Sequence, residues 1–394
     1  MSTTTGAAPA AAAVMADLLY GEAETELRAA VRALLQDRSA WRDVLARTET
    51  PETYDAGLWR ALAADVGCAG LLIPEGNGGA GASYREAAVV AEEAGRAVAP
   101  VPYLGSAVVA TTALLAAGDD QLLTALADGT ATAVLAIPFA AAPGASPQPT
   151  VRLGAPAAAE VAAGEDGYRL SGTVTGVADA LLADVILVPA DGVPYGLYAV
   201  AAAQPGVSLA PVVSLDMTRQ LADLTLEEVP GRRVASGEAA RQAVAAALAA
   251  GAAVLASELL GTAERCLEIT VAYLKERRQF ARPIGSFQAL KHRVADLWVG
   301  VTQARAAARY GAACLAAGDP DAPVAVALAK AACSDIAVRA AQECVQLHGG
   351  IGFTWEHPAH LYLKRAKSSS IAFGTADRHR ASLARLANLP APPA

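Results

Sequence analysis

The residues in this chain whose types could carry chemistry are mostly scattered, and outside longer motifs their signals are weak. His357 and His360, with Glu356 beside them, are residue types found in metal sites. A metal site also needs third and fourth ligands and a chain reversal to bring them in, and neither is legible, so metal is not expected. No G-x-S-x-G elbow or other nucleophile and base arrangement occurs, which sets hydrolases aside. In SLDMTRQ, the residues Asp216, Thr218 and Arg219 read as a turn at the edge of a β-domain, with Arg219 in an ion pair. Cys68, Cys266, Cys314, Cys333 and Cys344 are scattered through apolar helical patterns without C-x-x-C spacing and read as reduced core residues.

Composition narrows the classes further. With 394 residues, 54% of them hydrophobic, the chain can bury a large core in two or three domains. A formal net charge of -8 with well-spread charges gives no field for a polyanion, so nucleic acid is not an expected partner. The segment 239–260 approaches membrane-span length, but it is mostly alanine and carries Arg241 and Glu258, which fits a buried helix better than a span. The first 20 residues lack a basic stretch ahead of their small apolar residues and read as a frayed tail rather than a signal peptide. A cytoplasmic protein is expected.

The elements that must position any site follow from periodicity. From residue 16 to about 126, apolar residues recur at helical spacing, interrupted by IPEGNGGAGAS at 73–83. Ser83 with Glu86 three residues later fits a capping box opening the next helix. From about 132 to 234 the segments TAVLAIPF, GYRLSG, ADVILVPA, GLYAVAA and LADLTLEEV are short and β-rich, which predicts a small antiparallel β-domain. Ser236 and Glu238 mark a new helix start, and the remainder is helical except at ARPIGSF, 281–287. The expectation is an α+β chain: a disordered tail at 1–15, an N-terminal α-helical domain at 16–130, a middle β-domain at 131–235 and a C-terminal helical bundle at 236–394.

Three separated blocks carry a family resemblance. LWRALAADVGCAGLLIPEGNGGAGASYREAAVVAEEAGRAVAPVPYLGS at 58–106, ERRQFARPIGSFQALKHRVAD at 276–296 and QLHGGIGFTWEHPAHLYLKRAKSSSIAFGT at 346–375 resemble the flavin-dependent acyl-CoA dehydrogenases. The resemblance implies that family's fold, with a four-helix bundle as the C-terminal domain, and FAD as cofactor. It implies that Arg277 meets the flavin pyrophosphate, a task that suits a planar fork donating paired hydrogen bonds. Gln288 would contact the same cofactor across a subunit interface, with Phe280 and Phe287 packing the loop. Gln346, Gly349 and Gly350 would let the backbone approach the adenine-diphosphate half of a flavin held mainly by a neighbouring subunit, and Thr375 would cap a helix whose N-terminus favours phosphate. His348 and His292, inside the motifs, are expected to be structural. Ala281 stands where the family has glycine, which suggests a backbone with no need of positive φ.

The same comparison exposes losses. Before Gly374 and Thr375 the family often carries the glutamate that removes the substrate α-proton, and here that residue is Phe373. Relatives that carry the base on the preceding long helix would have it at Gly251, so neither usual position holds a carboxylate. Glu258 and Asp377 are the weak substitutes. The β-domain also lacks the family's flavin-gripping tryptophan and hydroxyl, whose places fall near Gly176 and Ala178. Tyr103, Leu104 and Phe373 would line the acyl pocket. The resemblance extends to actinobacterial members whose sites are shared between unlike subunits, and implies a base-lacking subunit of a heteromeric enzyme acting on an acyl-CoA or acyl-carrier thioester. A homologous dehydrogenase subunit and an electron-transfer flavoprotein would be its partners, in a dimer or tetramer. Two alternatives stand beside it: a self-contained dehydrogenase with a relocated base, and a flavin-free acyl-binding or scaffold homologue.

Overall fold

A computed structural model of the chain describes residues 18–50, 52, 54–144, 149–154 and 168–390. The tail expected at 1–15 lies outside them. The N-terminal helices are α1 (Glu22–Arg38), α2 (Trp41–Thr48), α3 (Ala56–Arg60), α4 (Tyr84–Ala97), α5 (Thr111–Ala117) and α6 (Asp120–Leu126). A π-helical segment, Tyr103–Ala110, leads into α5. The capping box opens α4 as its spacing predicts: Ser83 Oγ accepts from the Arg85 amide at 3.1 Å, and Glu86 Oε2 accepts from the Ser83 amide at 2.8 Å.

The middle of the chain forms two four-stranded sheets. The first orders β1 (Ala133–Leu135), β4 (Val185–Ala190), β5 (Gly196–Ala201) and β8 (Arg232–Ser236); the second orders β2 (Val151–Gly154), β3 (Arg169–Ala178), β7 (Leu221–Pro230) and β6 (Val207–Val212). Pairing is antiparallel throughout the second sheet, as the hairpin-like spacing predicts, while β1 joins β4 in parallel. Leu170, Val174, Leu224 and Val229 from one sheet and Ile186, Val188 and Val200 from the other form a common buried cluster, so the two sheets face each other.

The C-terminal bundle is built from α7 (Gly237–Glu276), α8 (Gln288–Ala317), α9 (Ala322–His348) and α10 (Ala359–Ile371), with α11 (Ala376–Leu386) following. α7 starts after Ser236 and is long and apolar enough to cross a membrane, yet 83% of its most apolar window is buried within the protein. Its small residues permit close packing. A Cβ on Gly261 would lie 1.8 Å from the Glu92 carbonyl, and one on Gly95 would lie 2.0 Å from the Glu258 carbonyl, so α4 and α7 cross in reciprocal backbone contact. One hydrophobic core therefore runs from the N-terminal helices into the bundle, and the β-domain keeps its own. Glu258 sits at that crossing.

Candidate functional site

The two positions where a base would stand do converge, and what meets there is an aromatic ring. Phe373 follows α10 in the left-handed region, with φ +49°, and its buried ring packs edge-on against Phe139 with centroids 5.6 Å apart. A Cβ placed on Gly251, in the middle of α7, would lie 2.7 Å from Phe373 Cζ. The missing side chain at Gly251 is thus the room that the phenyl ring fills, and neither position offers a proton acceptor.

Backbone hydrogen bonds lock this arrangement. The Phe373 amide donates to the Phe139 carbonyl at 2.8 Å, and the Phe139 amide donates to the Gly176 carbonyl at 3.0 Å, stitching the bundle to the β-domain. His379 Nε2 lies 2.8 Å from the Phe373 carbonyl, which can only accept, so that nitrogen carries the proton. The buried Lys330 ammonium reaches Ser334 Oγ at 2.9 Å, the Gly374 carbonyl at 3.2 Å and the Ser370 carbonyl at 3.3 Å. Burial pulls its pKa down to about 7, and three acceptors match the three protons of the charged form.

Glu258 is not available as a base. Its Oε1 accepts from Arg365 Nε at 2.8 Å and its Oε2 from Arg219 Nη2 at 2.6 Å, all three side chains being buried. Burial alone would raise its pKa, but the charges and hydrogen bonds of Arg219 and Arg365 outweigh it and hold the carboxyl below its usual range. Arg365 also meets Thr218 Oγ1 at 3.1 Å and Asp216 at 3.7 Å. Asp216, Thr218 and Arg219 of SLDMTRQ are accordingly a buried tie between β-domain and bundle, and the ion pair expected of Arg219 is made. Asp377 fails differently: its side chain is 94% exposed and pairs with Arg380 at 3.1 Å, pointing into solvent and not into a buried site.

A narrow apolar cleft adjoins Phe373, walled by Leu104, Val109, Ile137, Phe139 and Ala178 among others. Leu104 and Phe373 line it as expected; Tyr103 is not among its walls and donates its hydroxyl to the Ala87 carbonyl at 3.2 Å. The charged residue on its wall, overlooked in the sequence, is Asp179. It is buried in the left-handed region at φ +61°, and burial pushes its pKa up to about 6 against the pull of Arg219 and Arg365. The available signal was an aspartate in an otherwise apolar turn, a residue type that tolerates that backbone. Gly176 has φ +63° with its amide on Asp223 Oδ1 at 2.8 Å; nothing there or at Ala178 offers a ring or hydroxyl to a flavin.

On the opposite end of the bundle a wider cleft of about 1110 Å³ collects Arg277, Gln346, Gly349 and Gly350, four of the residues assigned to the cofactor. Arg277 ends α7 and lies exposed; Gly349 has φ +63° and, like Gly350, faces open space. His348 borders this cleft with Nδ1 2.6 Å from the Cys344 carbonyl and a buried Nε2 that has no partner among the described residues. An unmet polar atom beside an arginine and open glycines fits a polar ligand such as the phosphate and adenine half of FAD. Between Arg277 and α8, the strands β9 (Arg278–Gln279) and β10 (Arg282–Pro283) form a tight hairpin. Phe280 and Ala281 turn it at φ +52° and +62°, which corrects the expectation for Ala281: a two-residue hairpin of this twist requires positive φ at both centres. Phe280 and Phe287 do meet, at 6.1 Å, although Phe280 is exposed, and Gln288 begins α8 in solvent. Thr375 caps α11, accepting from the Arg378 amide at 3.4 Å. His357 lies tilted on His348 with centroids 4.1 Å apart and His360 meets Trp355 edge-on at 4.7 Å; among the described residues no group of three metal-ligand types is gathered.

Comparison with known proteins decides what this architecture is. The acyl-CoA dehydrogenase N-terminal domain matches residues 21–131 and the acyl-CoA dehydrogenase C-terminal domain matches residues 241–387. Acyl-CoA dehydrogenase IpdE2 of Mycobacterium tuberculosis is 38% identical over 346 residues, covering 87% of this chain and 91% of the relative. This chain belongs to the acyl-CoA dehydrogenase family. Family membership makes it an oxidoreductase by kind. Among solved structures, the ChsE4-ChsE5 complex of Mycobacterium tuberculosis superposes with a TM-score of 0.82 at 29% identity, covering 95% of this chain and 100% of the matched one. A point variant of the Tcur3481-Tcur3483 steroid acyl-CoA dehydrogenase gives 0.79 at 31% identity, covering 93% and 98%.

Proposed function

We propose that this chain is the base-lacking subunit of a heteromeric, FAD-dependent acyl-CoA dehydrogenase that introduces an α,β double bond into an acyl thioester. The observation that carries the reading is the Phe373 ring lying in the space left by Gly251, so that both base positions are occupied by one phenyl group. The likeness to two complexes named for paired chains, one of them a steroid enzyme, supports unlike partners and a polycyclic or branched acyl group. FAD, when bound, supplies the hydride acceptor. This chain's contribution is to hold: Arg277 would pair with the pyrophosphate, Gln346 would hydrogen-bond the cofactor, and Gly349 and Gly350 would let its adenine half lie against the backbone. The α-proton would go to a glutamate of the partner subunit, and reduced cofactor would be reoxidised by an electron-transfer flavoprotein.

Visible absorption of the purified chain, expressed as flavin per polypeptide, tests this reading. The expected result is colourless protein alone and flavin in the complex with a glutamate-bearing homologue. Arg277→Gln in this chain should then weaken flavin binding in the complex by roughly tenfold or more, the size of a charge-assisted hydrogen bond. Asp179 gives a self-contained enzyme its specific support, as a buried carboxyl on the wall of the cleft beside Phe373. A full flavin complement in the chain alone, with turnover abolished by Asp179→Asn, would establish that alternative. Flavin missing from every assembly would leave the scaffold reading.

A further inference from the structure

Away from the clefts around Arg277 and Phe373, a polar cleft opens where α1 and α2 meet the C-terminal end of α4 and the flank of α7. Its walls include Arg32, Arg96, Arg265, Glu93, Ser39 and Tyr362. Three guanidinium groups thus share a cleft with one carboxylate. Arg96 takes both oxygens of the neighbouring Glu268, at 2.8 and 2.6 Å, and Glu264 at 3.1 Å. Arg265 makes a 3.4 Å contact to an oxygen of Glu268 already engaged by Arg96, and its side chain is 44% exposed. Arg32 spends Nε and Nη2 on Glu93, at 2.8 and 2.6 Å, which leaves its third nitrogen outside that pair.

Ser39 supplies an independent observation. It ends α1, it is 7% exposed, and its Oγ is buried on the wall of this cleft with no hydrogen-bond partner among the described residues. A buried hydroxyl left unpaired is costly, and an oxygen-rich anion in the cleft would give it an acceptor. A half-exposed arginine fork and an unmet donor on one wall are the chemistry of phosphate recognition.

We propose that this cleft binds a phosphate-class oxyanion, held by Arg265 and the free edge of Arg32 with the Ser39 hydroxyl as a further donor. The proposal does not depend on the dehydrogenase reading. It is tested by thermal denaturation of the full chain titrated with inorganic phosphate against sodium chloride at equal ionic strength, in an Arg277→Gln background so that the flavin cleft makes no contribution. A saturable rise in melting temperature specific to phosphate is expected. Adding Arg265→Gln should weaken it by roughly tenfold or more, and adding Ser39→Ala by about fivefold, as expected for a charged and a neutral donor. Ser39→Ala removes only an unpaired hydroxyl, so that variant remains folded and keeps the test decisive if Arg265→Gln is unstable. Adenosine 3′,5′-bisphosphate titrated in parallel separates the sources: much tighter binding assigns a nucleotide-borne phosphate, and equal binding assigns free phosphate. Phosphate indistinguishable from chloride, or unchanged affinity in both added variants, overturns the proposal.

Discussion

The cleft around Arg277 and the cleft around Phe373 belong to one bundle but are built on opposite terms. The first is open: Arg277, Gln346, Gly349 and Gly350 are exposed, glycines face space, and a buried histidine nitrogen waits unpaired among the described residues. The second is shut: a phenyl ring fills the place of a missing side chain, its backbone is bonded on both sides, and a five-residue ionic cluster of Asp179, Asp216, Arg219, Glu258 and Arg365 is buried behind it. The difference teaches that the volume beside Gly251 is packed as core around the Phe373 ring, an arrangement consistent with the proposed base-lacking subunit.

The comparison is broken most severely at Glu258. Replacing it with alanine strands the buried Arg219 and Arg365 charges and should destabilise the protein by about 3–5 kcal/mol, read as a lowered urea midpoint. Were Glu258 a poised base instead of a structural anion, the variant would lose turnover with little change in stability. A second break targets the packing itself. Phe373→Ala should cost about 3 kcal/mol by opening a cavity, and Gly251→Ala about 1–3 kcal/mol by forcing a methyl group against the ring. Combined, the two changes should cost clearly less than their sum, because the new methyl then enters the space the ring has left. Additive losses in chemical denaturation would show that the two positions do not share that space.

Asp179 sharpens the comparison through pH. Its folded pKa of about 6 lies above the ordinary aspartate value, so between those two values the folded state binds more protons than the unfolded chain. Stability from this group is fully present below the unfolded pKa and is lost as pH rises through 6. Asp179→Asn should remove that slope and leave the protein about 2 kcal/mol more stable at pH 7. Glu258, held below its usual value, works in the other direction: its contribution is present at neutral pH and is lost as pH falls through its folded pKa. Denaturation midpoints of wild type and Asp179→Asn across pH 4 to 8 separate the two groups. Parallel curves would remove Asp179 from the account.

The open face was more legible in sequence than the closed one, for a physical reason. Arg277, Gln346, Gly349 and Gly350 sit in contiguous motifs on the ends of α7 and α9, so their neighbourhood is local to a few residues. The ionic cluster draws Asp179, Asp216 and Arg219 from the β-domain and joins them to Glu258 and Arg365 from two bundle helices, and no spacing rule announces a contact across 39 or 107 residues. The helix start at Ser83 was readable from its capping box, and the one at Ser236 falls where expected although the Ser236 side chain makes no cap bond. The parallel β1–β4 pair was not, because periodicity reports which residues alternate and not which neighbour they find.

The smallest effect lies on the open face. The β9–β10 hairpin beside Arg277 turns on Phe280 and Ala281, both at positive φ, and neither is a glycine. An L-residue there is strained because its Cβ crowds the carbonyl, so Ala281→Gly should stabilise the protein by about 1 kcal/mol despite the greater freedom it gives the unfolded chain. That gain read in urea denaturation, with flavin binding by the complex unchanged, would make the turn a scaffold that merely carries Arg277 to the cleft. Weaker flavin binding alongside the gain would mean that the alanine stiffens the hairpin to hold the arginine in place. Strain on the open face would then serve the ligand, whereas the left-handed Phe373 on the closed face places its ring against Gly251 and Phe139.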